Sequence, residues 1–260
     1  MKIALVSLNQ VWEDKKANLS LCKNNIEIAS LQKVDLIIFP EMTLSGFTMN
    51  HTLIAEDEHT SETLKHFSML AAQYHIAIVF GVAIKHGDKA YNKSIFINKS
   101  GEVLAEYAKI HPFTFAGEDA YFDAGEQLKI VKFDDFKIGL TICYDLRFPE
   151  LYSALAQESD LVINIANWPS KRIEHWNVLL KARAIENQIF IAGVNRIGTD
   201  NNGLTYTSSS NMVNANGEVL EYESVQEMQI YEIDKTWTKH FKETFNTTKD
   251  RKCDFYKEIL

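Results

Sequence analysis

The sequence predicts an α/β fold in which two mixed sheets pack face to face with helices outside, a four-layer α-β-β-α sandwich. Three observations carry this. Apolar runs of strand length alternate with stretches of helical periodicity, the pattern of strands covered by helices. Hairpin turn sequences also occur, so the sheets are mixed rather than purely parallel. Finally, the two halves repeat one order: strand, helix, strand, helix, strand, hairpin. No Pro-, Gly- or Ser-rich linker separates them, so residues 1–260 read as a single domain.

The elements follow in order. "KIALVSL" (2–8) and "DLIIFP" (35–40) are apolar runs bounded by polar or turn residues, as buried strands are. Between them, Leu19, Cys22, Ile26 and Ala29 recur at helical spacing within residues 14–31. A second helix over 60–74 leads into the buried run "IAIVFGVAI" (76–84). "AYNKSIFIN" and "GEVLAEYAK" flank the turn sequence "NKSG", and residues 110–127 form a loop. "LKIVKFDDFKIGLTIC" reads as strand, Asp-Asp turn, strand. Residues 149–157 are helical, 160–167 a strand, 171–188 a helix and 189–195 a strand. "SSNMVNANGEVLEY" gives strand, Asn-Gly turn, strand, and "EMQIYEID" closes the pattern. Residues 235–260 are polar with few apolar anchors and read as a C-terminal tail that docks on a partner subunit or frays.

Composition removes several function classes. Lys and Arg total 27 against 35 Asp and Glu, a net charge of −8 that opposes binding to nucleic acid or to anionic membrane. No segment approaches the roughly 18 uninterrupted apolar residues of a membrane span. Acidic residues follow the first apolar run and no cleavage site appears, so the N-terminus reads as a core strand and cytoplasm is the expected location. Cys22, Cys143 and Cys253 are odd in number and far apart, which fits reduced thiols rather than a disulfide framework or a metal site.

Cys143 stands where a strand-like run stops, a few residues before Pro149 opens a helix. Backbone N–H groups at such a place stabilise a thiolate and an oxyanion, although a free cysteine is among the most buried residue types and is usually inert. A reactive thiol needs a base. His111 and His175 are available, but Glu41 in "DLIIFPEMTLSGF" directly follows a buried strand, where active-site side chains of α/β sheets project. Lys109 in "AEYAKIHPF" likewise ends a strand.

Glu41, Lys109 and Cys143, each ending a hydrophobic strand, form a Glu–Lys–Cys set, and here the chain resembles the nitrilase superfamily of carbon–nitrogen hydrolases. "FPEMTLSGF", "YAKIHPF", "GLTICYDLRFPELY", "NIANWP", "HWNVLLKARAIENQIFIAGVNRIG" and "NANGEVL" match in family order over residues 2 to 234. "CYDLRFP", "ANWP" and "HW…ARAIENQ" look most like the omega-amidase branch, which deamidates 2-oxo acid amides such as 2-oxoglutaramate. The resemblance implies that Cys143 attacks the amide carbonyl, that Glu41 moves the protons, and that Lys109 with the backbone N–H of Tyr144 holds the oxyanion. It implies a second glutamate in the following loop, Glu118 or, just past the "DAG" turn, Glu126. It also implies a homodimer with no cofactor and no metal, whose partners are a small amide and water.

A carboxylate-bearing substrate needs a cation. Arg147 is placed to supply one, or else pairs with Asp145 or Glu150 at the helix start. Trp168, Pro169, Phe113 and Phe115 either wall the pocket or pack elsewhere, and His175 borders the site while Trp176 packs. Two enzymatic alternatives remain open, a superfamily hydrolase of another amide or N-carbamoyl compound and a redox-sensing thiol protein. Outside catalysis, the alternative is a binding module on a retired hydrolase fold.

Overall fold

The computed structural model describes residues 1–259. The first half runs β1 (Lys2–Val6), α1 (Lys15–Leu31), β2 (Leu36–Ile38), α2 (His51–Ile54), α3 (Glu62–Tyr74), β3 (Ala77–His86), β4 (Lys89–Ile97) and β5 (Val103–Ala108). The second runs β6 (Ile130–Phe133), β7 (Phe136–Ile142), α4 (Pro149–Leu155), β8 (Leu161–Ala166), α5 (Ile173–Asn187) and β9 (Phe190–Asn195). A small hairpin of β10 (Gly198–Thr199) and β11 (Thr205–Tyr206) follows, then β12 (Asn211–Val213), β13 (Glu223–Val225), β14 (Met228–Glu232), α6 (Lys235–Thr244) and α7 (Cys253–Ile259).

Seven strands form one sheet in the order β13-β14-β1-β2-β3-β4-β5, and five form the other in the order β12-β9-β8-β7-β6. Both are mixed. The β1–β2–β3 and β7–β8–β9 pairs are parallel, while β14, β4, β5, β6 and β12 join antiparallel.

Side-chain alternation builds the layers. Ile3, Leu5, Leu36, Ile38 and Val79 point from the larger sheet onto Ile138, Leu140, Ile163, Ile165 and Val194 of the smaller one. The opposite faces carry the helices. Ala4, Val6, Ile37 and Ile78 meet Cys22, Ile26 and Ala29 of α1 and Phe67 of α3. Val162, Ala166 and Ile191 meet Tyr152 of α4 and Trp176, Leu180 and Ala184 of α5. This is the four-layer α-β-β-α sandwich predicted above.

Local chemistry sets the boundaries. The Asp14 side chain accepts from Ala17 N (2.9 Å) to cap α1, and Ser61 caps α3 through Leu64 N (3.1 Å). Pro149 occupies the first turn of α4, where no N–H is needed. The structure departs from the sequence reading in small elements. The chain after the Asn-Gly turn returns as one bridge, Val213 to Val219, not a strand. The short α2 and the β10–β11 hairpin have too few residues to show a period.

Residues 235–251 lie against their own chain. Lys235 Nζ pairs with Asp160 (2.9 Å), Gln188 Nε2 donates to Phe245 O (2.6 Å), and Arg251 Nη2 donates to Glu186 O (2.8 Å). These contacts hold the stretch to the entry of β8 and to the C-terminal end of α5 of the same chain.

Candidate active site

Four strands end at one place. Glu41 follows β2, Lys109 follows β5, Cys143 follows β7 and Asn167 follows β8, all at C-terminal strand ends. The larger sheet supplies the first two residues and the smaller sheet the others.

Glu41 is fully buried. Its Oε1 accepts from Lys109 Nζ (3.0 Å) and Asn92 Nδ2 (2.8 Å), and its Oε2 accepts from Asn167 N (2.9 Å). The loop that carries it is clamped from behind. Gln10 Nε2 donates to the carbonyls of Glu41, Met42 and Thr43 at 3.0, 2.9 and 3.2 Å. It also lies flat on β3, where a Cβ at Gly81 would stand 2.3 Å from Met42 N, so only glycine fits.

Lys109 is 1 % exposed, and its Nζ also donates to Glu118 at 3.1 Å (Oε1) and 2.8 Å (Oε2). Burial works against its charge, but Glu118 and Glu41 outweigh that and hold the ammonium above its ordinary value. Glu118 is buried by the loop fold. Its Oε2 accepts from Phe113 N (2.6 Å), and its Oε1 accepts from Asn92 Nδ2 (3.1 Å). Glu126, the other candidate, is exposed, so Glu118 is the glutamate that reaches Lys109. Gly125 pins this loop by donating to Lys109 O (2.8 Å), and a Cβ there would meet Ala108 O at 2.2 Å.

Cys143 has φ +45°, a left-handed conformation that non-glycine residues adopt at a cost of roughly 1–3 kcal/mol. Asp145 holds it there. Its carboxylate accepts from Ile142 N (2.9 Å), Tyr107 Oη (2.7 Å), His111 N (3.0 Å) and His111 Nδ1 (2.8 Å). His111, one alternative base, is thus engaged with Asp145 and stacked on Phe148 (centroids 3.7 Å apart). Burial pushes the Cys143 thiol well above its usual value and Glu41 adds to this, while Lys109 offsets only part. The thiol is neutral at rest.

Cys143 and Lys109 open into a pocket walled by Phe47, Phe113, Tyr144, Trp168, Pro169 and Tyr206. Arg147 and Arg172 also line it. Arg147 lies over the Trp168 ring (4.7 Å) and Arg172 over Phe113 (5.5 Å). Among the described residues neither guanidinium has a carboxylate partner, and the one arginine ion pair is Arg183–Glu186. The alternative pairing of Arg147 with Asp145 or Glu150 does not form, and Asp145 is turned inward to the strand ends. Arg147 Nη2 instead meets exposed His175 Nδ1 at 3.3 Å, which places His175 at the rim.

Phe115 corrects the sequence reading. It is 85 % exposed and does not wall the pocket, since the tight turn at 114–116 brings Ala116 inward instead. Trp176 packs in the core and donates to Ser209 O (2.8 Å). Sequence reasoning missed Asn92, Asn167, Arg172 and Tyr206. Asn167 carries the same signal as the others, a polar residue straight after an apolar strand, and was readable. Asn92 sits inside β4 and gives no such mark. Among the described residues, no group of three or more His, Cys, Asp or Glu side chains is arranged to hold a metal ion. No helix there is long and apolar enough to cross a membrane.

The paired mixed sheets with helices on both outer faces define the α-β-β-α sandwich class. Residues 2–240 match the model of the carbon-nitrogen hydrolase family, and the chain belongs to that family. It is 39% identical over 221 residues to the omega-amidase YafV of Yersinia enterocolitica, covering 84% of this chain and 83% of that one. It is 36% identical over 222 residues to the omega-amidase YafV of Escherichia coli K12, covering 85% and 84%. A CN-hydrolase superfamily protein of Xanthomonas campestris, whose crystal structure carries an arsenic adduct in the active site, superposes with a TM-score of 0.89. That pair is 30% identical, with 96% of this chain and 97% of the other covered. The protein is thus a hydrolase of non-peptide carbon–nitrogen bonds.

Proposed function

We propose that the protein cleaves the terminal amide of a small carboxylate-bearing amide of the 2-oxoglutaramate or 2-oxosuccinamate type, through a thioester on Cys143, releasing ammonia. One observation carries this reading: the Cys143–Glu41–Lys109 cluster opens into a pocket holding two arginines without a protein carboxylate. Its likeness to omega-amidases supports the same substrate class.

Because the thiol is neutral, attack and deprotonation go together. Sγ bonds to the amide carbon while Glu41 takes the thiol proton. The carbonyl electrons move to oxygen, and that oxyanion is met by the Lys109 ammonium and the Tyr144 backbone N–H. Lys109 Nζ already donates to Glu41 Oε1 and to both oxygens of Glu118, so one of its three N–H groups turns from a carboxylate to the oxyanion as that charge forms. The tetrahedral intermediate collapses, the C–N bond breaks, and Glu41 returns its proton to the departing nitrogen as ammonia leaves. Water then attacks the thioester, Glu41 takes its proton, the C–S bond breaks and the thiol is restored. Glu118 fixes Lys109, while Arg147 and Arg172 take the substrate carboxylate between aromatic walls.

The test is ammonia release from 2-oxoglutaramate by the purified protein. Turnover that vanishes in Cys143→Ala supports the proposal, and turnover that survives there ends it. Activity on N-carbamoyl compounds but not on oxo-amides would assign the site to the alternative substrate class. By the same family likeness we take the working molecule to be a homodimer, which light scattering on the eluted protein tests directly.

A further inference from the structure

The charge balance of the buried cluster is uneven. Glu41 and Glu118 bring two carboxylates, Lys109 brings one ammonium and Cys143 a neutral thiol. Neighbouring buried carboxylates in this situation tend to share a proton, which would remove the base. Lys109 touches both but offsets only one charge.

Asn92 supplies the second bridge. It is 1 % exposed, in the middle of β4 opposite Ala83 of β3, and its Nδ2 reaches Glu41 Oε1 (2.8 Å) and Glu118 Oε1 (3.1 Å). The same two oxygens are bridged by Lys109 Nζ at 3.0 and 3.1 Å. The backbone of Asn92 joins in, since its carbonyl accepts from Lys109 N (2.9 Å). The amide orientation is dictated, because a flipped side chain would set Oδ1 against two carboxylates. In the orientation found, Oδ1 is buried without a partner. An orphaned acceptor costs free energy that an apolar residue at this strand position would avoid, so the packing of β4 does not account for asparagine.

We propose that Asn92 is a positioning residue for the general base: its amide ties Glu41 Oε1 to Glu118 Oε1 and aims the Glu41 carboxylate at the Cys143 thiol. The proposal rests on the reading of Glu41 as the base. The groups facing Glu41 from the surrounding elements are Lys109 after β5, Glu118 in the loop beyond it, Cys143 after β7 and the neutral Asn167 after β8. Donors to a carboxylate favour its charged form and lower its pKa. Removing one therefore moves the acid limb of activity to higher pH.

The experiment uses the full chain as Asn92→Leu, of similar volume without a donor, and as Asn92→Ala, which removes the donor without adding charge. Expected are an acid limb of kcat/KM shifted up by about one pH unit or more, a kcat at the optimum lowered about 10- to 100-fold, and a KM within about threefold. A parallel readout needs no substrate: the pH dependence of Cys143 alkylation by N-ethylmaleimide shifts in the same direction. If Leu fails to fold, Asn92→Ala carries the test. An unmoved acid limb with only a lowered melting temperature would leave Asn92 a structural residue and overturn the inference. Failure of the functional reading looks different, as wild-type protein without amide turnover or Cys143→Ala protein that retains it.

Discussion

Cys143 is held at a φ of +45° by four hydrogen bonds to Asp145, and it faces Glu41 and Lys109 as an un-ionised thiol. What the sequence displays at this scale is a polar residue directly after an apolar strand, which marked Glu41, Lys109 and Cys143. Residues that act from within an element carry no such mark, so Asn92 in β4 and Arg172 before α5 emerge only when the chain is folded. The two arginines make a residue-scale prediction. Each is stacked on an aromatic ring and lacks an acidic partner, so an anionic substrate is its natural ligand. A hydrogen bond to a charged group contributes about 1.5–3 kcal/mol. Arg172→Gln and Arg147→Gln should each raise KM for 2-oxoglutaramate by about tenfold or more. Turnover of a neutral amide of equal length should change by less than about threefold. Equal losses on both substrates would show that these arginines shape the pocket rather than read charge.

At the scale of elements, the long apolar runs were legible because burial on both faces demands them, and the capped helices because Asp14, Ser61 and Pro149 satisfy or avoid free N–H groups. What stayed hidden were short pieces held by particular side chains. The segment before α3 is one of these. Glu56 accepts from Lys15 Nζ (2.6 Å), Thr63 N (2.9 Å) and Thr63 Oγ1 (2.6 Å), tying α1 to the start of α3. Burial disfavours its charge, yet Lys15, Ser61 and Thr63 together bring its pKa from the ordinary 4.5 down to about 2. A carboxyl whose folded pKa is depressed adds stability that is present above the unfolded value and is lost as pH falls through the folded one. The loss therefore spans pH 4.5 to about 2 and amounts to roughly 2 kcal/mol after screening. Glu56→Gln should lower the melting temperature at pH 7 and flatten its fall with acid in that window. Parallel acid profiles for the variant and the parent would remove Glu56 from the account.

For the whole molecule, the repeated halves of buried strands, helices and hairpins made the α/β class legible and agree with the four-layer packing, although helices on both faces of one sheet would bury such strands equally well. The seam at which the site forms was not legible, since it depends on hydrogen bonds that cross from one sheet to the other. Asn167 N and Nδ2 donate to Glu41 Oε2 (2.9 Å) and O (2.7 Å), and Tyr107 Oη donates to Asp145 Oδ2 (2.7 Å). Tyr107 is the informative case, being fully buried in the core between the sheets and absent from the pocket wall. Burial first, then Asp145, raises its phenol well above the usual value, so it stays a neutral donor. Tyr107→Phe keeps the ring and removes only the hydroxyl, leaving Asp145 one donor short and Ile110 N without its acceptor. The loss should be about 1.5–3 kcal/mol, or roughly 3–10 °C in melting temperature for a chain of this size. Because Asp145 also holds the left-handed turn at Cys143, alkylation of the thiol should slow in the same variant although no group near the sulfur has changed. A variant that melts earlier yet alkylates at the parent rate would separate the sheet seam from the nucleophile's geometry.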